Sequence, residues 1–400
     1  MKEYIKLLKE EVVLRRLSII QLLTYFGAWF SNVAIYTLLI KMGVSAEIVG
    51  FVAMLHFVAG VVQAPFSGAI IDRFAPKKLM LLLILVESIA TLLLLLVNSI
   101  EGIYVLYILI FVKMAAASFY FTTEMSLLPK ILHGKKLQKA NELHSIIWSL
   151  SYTLGMAISG FAVYILGVKV AFVFDAMMFM LAFFLLLSLD MKIEQSVTHP
   201  SLLRMMRESI EYLRINPKAL HLMLTHAFVG LTAFDALVAL MVEQYYASII
   251  ATSLALGLMH AMRALGLVVG PVVLGKWINN KRLLYIFFAQ GVAVWFWAYV
   301  MEWFYLSLFA SVLVGFFTTT LWSYTYTLLQ KNIDAKYYGR IVAYNDMLFL
   351  STAAFTSYMI GYLSSNSFSL ESIAFMMGFG FIIGGVYYNY VLKKERIDDL

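Results

Sequence analysis

Residues 79–98 read LMLLLILVESIATLLLLLVN, twenty positions with a single charge, Glu87. At 1.5 Å per residue a helix of this length spans about 30 Å, the thickness of a bilayer's hydrocarbon core. Barrel strands instead alternate apolar and polar positions over about ten residues, and this run does not alternate. In lipid each backbone amide must be satisfied within the protein, which leaves helices or closed barrels. The stretch therefore reads as a transmembrane helix.

Working outward, similar runs occur near 17–40, 46–71, 103–128, 141–167 and 170–190, and again near 220–246, 250–275, 283–301, 305–329, 341–364 and 371–391. The expected fold is all-α and integral to the membrane, with twelve transmembrane helices in two six-helix bundles. The first bundle covers 1–190, a polar linker covers 191–218, and the second bundle covers 219–400. Composition agrees. Of the 400 residues, 62% are hydrophobic and 13% charged, with a mean hydropathy of +0.86. A soluble domain carries about a quarter charged residues. There is no cysteine, which excludes disulfides, thiolate metal sites and cysteine nucleophiles. The opening MKEYIKLLKEEVVLRR is too charged, and the apolar run after it too long, for a cleaved leader.

Orientation follows from the cations. With the N-terminus inside, 26 of the 30 Lys and Arg fall on inner segments, leaving Lys41, Lys169, Lys113 and Arg263. This positive-inside bias places both termini in the cytoplasm of a bacterial inner membrane. It also accounts for the net charge of +7 through anionic lipid, with no nucleic acid partner. Within the linker, SLLRMMRESIEYLRIN is amphipathic, with Leu202, Leu203, Met206, Ile210 and Leu213 on one side and Arg207, Glu208, Glu211 and Arg214 on the other. It reads as a helix lying along the cytoplasmic surface. The two halves echo each other. Pro65 and Gly68 precede Asp72-Arg73 and Lys77-Lys78, and Pro271 and Gly275 precede Asn279-Asn280 and Lys281-Arg282. Parallel six-helix repeats are a transporter architecture.

The loop after the second helix, Gly68-Ala-Ile-Ile-Asp72-Arg73-Phe-Ala-Pro-Lys77-Lys78, resembles the signature loop of the major facilitator superfamily. That family usually has a second glycine and an arginine where this chain has Ala75 and Pro76, so Lys77 is the replacement basic contact. A narrower resemblance is to the macrolide-efflux-type exporters, near siderophore exporters and lysophospholipid transporters. It runs through Gln21 to Ala34, Leu128 to Leu143, Gly155, Gly160 and Gly167, Phe172 to Phe179, ESIEYLRINP and Tyr338-Gly339-Arg340. That branch often has an acid after the first helix's glycine. Here Gly27 is followed by Ala28, so no proton carrier stands at that position.

The resemblance implies a secondary transporter, most simply proton-coupled efflux of a lipophilic or amphipathic small molecule, probed against lysophospholipid or siderophore transport as alternatives. It implies that Asp72 meets the start of the eleventh helix near Gly339 and Arg340, with Glu124 as an acidic partner of the loop. It places Lys113 near an arginine tied to proton exchange. It also has helices 1, 4, 7 and 10 line the cavity, through Trp29, Asn32, Tyr36, Phe119, Tyr120, Phe234, Thr319, Trp322 and Tyr326. Aromatics with sparse polar groups suit an amphipathic ligand; ordinary packing is the competing reading.

Ionisable groups deep in a bilayer are costly and need a partner or a purpose. Lys113, Asp235 and Arg263 lie near mid-depth. Lys113 reads either as a coupling residue or as a structural lysine paired with Glu87. Asp235 and Arg263 read as an ion pair that either carries a proton or is scaffolding. Asp175 reads as structural, near the outer end of the sixth helix. His56, His226 and His260 read as packing, with no metal-ligand spacing. No nucleotide loop is present, so no cofactor is expected. No catalytic constellation at a membrane face supports the alternative of a lipid-modifying enzyme. A non-transporting sensor is the remaining class, and a monomer is expected.

Overall fold

The computed structural model describes residues 2–191, 202–334 and 337–395. Among them are helices and turns and no strand. Twelve helices are long and apolar enough to cross a membrane. Spans 1 to 6 are Val12–Lys41, Ala46–Ser67, Pro76–Leu96, Ile100–Ile131, Gly134–Leu166 and Val168–Leu187. Spans 7 to 12 are Pro217–Tyr246, Thr252–Leu274, Leu283–Val300, Phe304–Lys331, Tyr338–Ser365 and Leu370–Lys394. Each overlaps its expected run. A helix Lys2–Glu10 precedes them, and Leu202–Ile215 is the linker helix.

Packing divides the chain into two units. Met1–Met42 groups with Phe66–His199, and Gly43–Pro65 with Pro200–Leu400. The helix Ala46–Arg73 thus contributes its first part to the second unit and its end to the first. The units use one pairing scheme. Span 1 packs on 5 and 6, and span 3 on 4 and 6; likewise span 7 packs on 11 and 12, and span 9 on 10 and 12. Pro65 and Pro271 each lie inside a helix. Because lipid tails are as apolar as leucine, such contacts rest on close fit rather than on expulsion of water.

Span 7 is not one continuous helix, although its sequence reads as an unbroken apolar run. It runs as Pro217–Ala227, a 3-10 segment Phe228–Thr232, then Asp235–Met241 and a π-turn Val242–Tyr246. Gly230 explains part of this. A Cβ there would meet the Phe349 carbonyl oxygen and the Thr352 Cβ, both at 2.7 Å, so only glycine lets span 11 approach so closely.

The linker helix is amphipathic as read, but its packed face is different. Ser209 and Tyr212 are buried, whereas Ile210 is exposed. The Tyr212 ring stacks on Tyr337 at 4.4 Å, and its hydroxyl accepts from Asn216 Nδ2 at 2.9 Å and from the Asp334 amide at 3.1 Å. A ring with a polar tip makes more specific contacts than the leucine face could.

Candidate functional site: buried charges within each unit

Four residues of the first unit converge. Ser31, Glu87, Lys113 and Asp175 lie on spans 1, 3, 4 and 6, about seven to thirteen residues from the same ends of those helices, roughly 10–20 Å in. Lys113 Nζ donates to Asp175 Oδ2 at 2.6 Å and to Ser31 Oγ, and Ser31 Oγ in turn donates to Asp175 Oδ2. The lysine also lies 5.6 Å from the centre of the Phe179 ring. Gly27 makes room, because a Cβ there would run into Asp175 Oδ1. The side chains of Lys113 and Asp175 are 4% and 0% exposed.

The partner of Lys113 is therefore Asp175, not Glu87, and Asp175 belongs to the buried charge group rather than standing apart. Glu87 is buried and within electrostatic reach of Lys113 and Asp175, but no ion pair forms at it among the described residues. One lysine faces two carboxyls. A lone buried charge costs several kcal/mol, so charge balance at this depth calls for one proton.

The second unit holds a looser group at the break in span 7. Asp235 Oδ1 is 3.8 Å from Arg263 Nη1 and 3.9 Å from His260 Nδ1. These are ion-pair separations, beyond hydrogen-bond length. Arg263 Nη2 donates instead to the Thr232 carbonyl at 2.9 Å, a group that the break releases from helical bonding. Its guanidinium also lies 5.1 Å over the Phe234 ring. Irregular backbone at membrane depth needs such satisfaction. His260 is buried, and among the described residues neither ring nitrogen has a hydrogen bond.

Among the remaining expected residues, Tyr120 and Phe234 are core residues. Tyr120 sits in an apolar cluster with Leu17, Ile84 and Leu127, and Phe234 meets Trp297 edge-on at 5.4 Å. Asn32 and Tyr36 are buried and Phe119 and Thr319 half-buried. Trp29 packs edge-on against Tyr152 at 4.7 Å and Trp148 at 5.8 Å. Trp322 and Tyr326 stack at 5.0 Å, with His226 edge-on to both. Lys77 donates to the carbonyls of Leu187 and Leu189 at 2.9 and 2.6 Å, capping span 6, while Lys78 is exposed. The side chains of Gly68, Asp72 and Arg73 lie outside the described residues. Arg340 donates to Glu208 Oε2 at 2.9 Å, and this bond, with a second from Arg204, holds the Glu208 carboxyl below its usual range. Glu124 is buried with its Oε2 unpaired.

A model of the family described as Major Facilitator Superfamily matches residues 17–300. The chain belongs to that superfamily. It is a multi-pass membrane transporter rather than an enzyme. Solved structures agree on the fold. The nucleoside transporter NupG is 11% identical, with a TM-score of 0.74 and coverage of 96% of this chain and 100% of its own. A D-xylose-proton symporter is 11% identical, with a TM-score of 0.72 over 93% and 97%. A bacterial homolog of the human lysosomal transporter Spinster is 14% identical, with a TM-score of 0.73 over 96% of each chain. No curated protein sequence matches it. At these identities the likeness is one of fold.

Asp175, Ser31 and His260 were the residues missed or undervalued from sequence. For the first two the signal existed, since counting from helix ends brings both to the depth of Lys113 and Glu87. For His260 the signal was its place one turn before Arg263.

Proposed function

We propose that this superfamily member is a proton-coupled secondary transporter that exports a lipophilic or amphipathic small molecule by alternating access. The observation that carries the reading is the charge imbalance in the first unit, where Glu87 and Asp175 share Lys113 at membrane depth. A carboxyl whose proton balances a buried site is suited to exchange that proton when water reaches it. Asp235, held at 3.8 Å or more by Arg263 and His260, is the corresponding group in the second unit. The half-exposed Trp322, stacked on Tyr326, offers an aromatic face to an apolar ligand. Among the solved relatives one is named a proton symporter, which is consistent with proton use on this fold. The basic bias of the loops supports cytoplasmic termini and an inner-membrane location.

The test is transport by proteoliposomes loaded with a pH-sensitive dye and challenged with a lipophilic cation, a macrolide and a labelled lysophospholipid. Substrate-dependent proton movement is expected, and its loss in Glu87→Gln. Lysophospholipid crossing without proton flow overturns the proton-coupled reading and puts lipid transport in its place. Reporter fusions at residues 210 and 400 are expected to report cytoplasm; a periplasmic signal at either overturns the orientation.

A further inference from the structure

The first unit contains a second polar pocket, away from Lys113. Between spans 1, 4 and 5 lies a cavity of about 10 Å³, walled by Leu14, Leu17 and Leu128 and carrying Gln21, Glu124 and His144. Glu124 is 2% and His144 7% exposed. Glu124 Oε2 and His144 Nε2 both face burial without a hydrogen-bond partner. Two more unpaired atoms lie close by, the hydroxyls of Tyr25 and Tyr120. The His144 ring is held in place. Tyr25 meets it edge-on at 5.9 Å and Phe121 packs at 5.4 Å, while Gln21 Nε2 donates to its backbone carbonyl at 3.0 Å.

Leaving a carboxyl and an imidazole buried and unbonded is costly, more so for a charged group than for a neutral one. A single water relieves this where the space admits one probe sphere, about 10–15 Å³, and offers two to four polar partners. This cavity meets both conditions. We propose that Glu124 and His144 together bind one water and one exchangeable proton, forming a proton site distinct from Glu87, Lys113 and Asp175. In the loaded form Glu124 carries the proton and donates to the water, which donates to His144 Nε2. On unloading, the proton leaves to solvent and Glu124 remains as a carboxylate bonded to the water. The water then donates one hydrogen to that carboxylate and keeps the other on His144 Nε2, so the imidazole need not change tautomer.

Among the described residues the titratable groups around the pair are few. From span 1 comes Tyr25, from span 4 Tyr120, from span 3 Glu87. The Tyr25 and Tyr120 hydroxyls are within electrostatic range of both Glu124 and Glu87, so they stand between this site and the Lys113 group. Glu11, at the start of span 1, is already taken by Lys136 at 2.6 Å; Glu10 lies 3.6 Å from the same lysine. The proposal relies on proton-coupled transport only for the use to which the proton is put.

The experiment is infrared difference spectroscopy of the purified full chain in nanodiscs, titrated with pH in the absence of substrate. A protonated carboxyl band is expected that titrates in the parent, vanishes in Glu124→Gln and persists in Glu87→Gln. His144→Asn, close in size, is expected to move its midpoint by about one pH unit or more, the mark of two coupled groups. Glu124→Asp keeps an acid at the site and shifts the band instead of removing it, which covers failure of the glutamine variant to fold. A band unchanged in both Glu124 variants, or a midpoint indifferent to His144→Asn, overturns the proposal. Proteoliposomes without proton movement would overturn the transport reading while leaving this titration standing.

Discussion

The two units solve the same problem, an acid and a base within a membrane, with different geometry. In the first, Lys113 touches Asp175 at 2.6 Å, Ser31 bridges them, and both charges are almost wholly out of solvent. In the second, Asp235 stays 3.8 Å from Arg263 and 3.9 Å from His260, and its side chain is 17% exposed. Arg263 gives its short bond to the Thr232 carbonyl. A directly bonded buried pair is costly to break, whereas a carboxylate held only at ion-pair distance has no short bond to lose. The tight group ties spans 1, 4 and 6 together, and the loose one leaves its carboxylate partly exposed at ion-pair distance.

Removing Lys113 sets the largest effect. Lys113→Met leaves Asp175 and Glu87 buried without a cation and is expected to cost about 3–5 kcal/mol, read as a fall in the thermal unfolding midpoint in detergent. Lys113→Met with Asp175→Leu is expected to recover most of it. A single variant as stable as the parent breaks the contrast, because the tight pair then holds nothing together.

Next comes Arg263→Gln, which takes one of two donors from the Thr232 carbonyl, the Phe234 amide remaining at 2.9 Å, and the cation from the Phe234 ring. About 1–3 kcal/mol is expected, with faster amide exchange across residues 228–234. If the loss equals that of Lys113→Met, the two regions do not differ in kind.

Asp235→Asn tests the loose group directly. With no hydrogen bond of its own to lose, it is expected to unfold within about 1 kcal/mol of the parent. Substrate binding and exchange are expected to survive while pH-driven transport is lost. Asp235→Asn with Arg263→Gln that still couples transport to protons would make this pair scaffolding too.

The smallest effect is outside the membrane. Arg340 holds the half-buried Glu208 carboxyl below its ordinary range. A lowered carboxyl contributes stability above its unfolded value and loses it as pH falls through the folded one. Protection of the amides at residues 337–341, taken relative to their intrinsic exchange, is therefore expected to hold above about pH 4.3, to fall below it, and to lose that step in Glu208→Gln. Unchanged pH dependence in that variant separates the clamp from Glu208.

The apolar runs alone determined that this chain crosses a membrane twelve times as helices, because lipid tolerates little else and a helix long enough to span it needs about twenty apolar residues. They also determined which few ionisable groups lie deep, since each stands out against a sequence with so few charges. Partnership was decided by the fold. Lys113 has two acids at its depth, Glu87 and Asp175, and nothing in linear order says that Ser31 and the space beside Gly27 bring Asp175 to it. The break in span 7 was equally invisible, because residues 227–234, AFVGLTAF, carry no charge and no proline, and the interruption comes with the close approach of span 11 at Gly230 and the bond from Arg263. Likewise the linker helix displays its apolar stripe in its sequence, but the partner surface selected the Ser209 and Tyr212 face. Sequence records what each segment tolerates as solvent; which side chains meet depends on helix rotation and distance, and packing sets both.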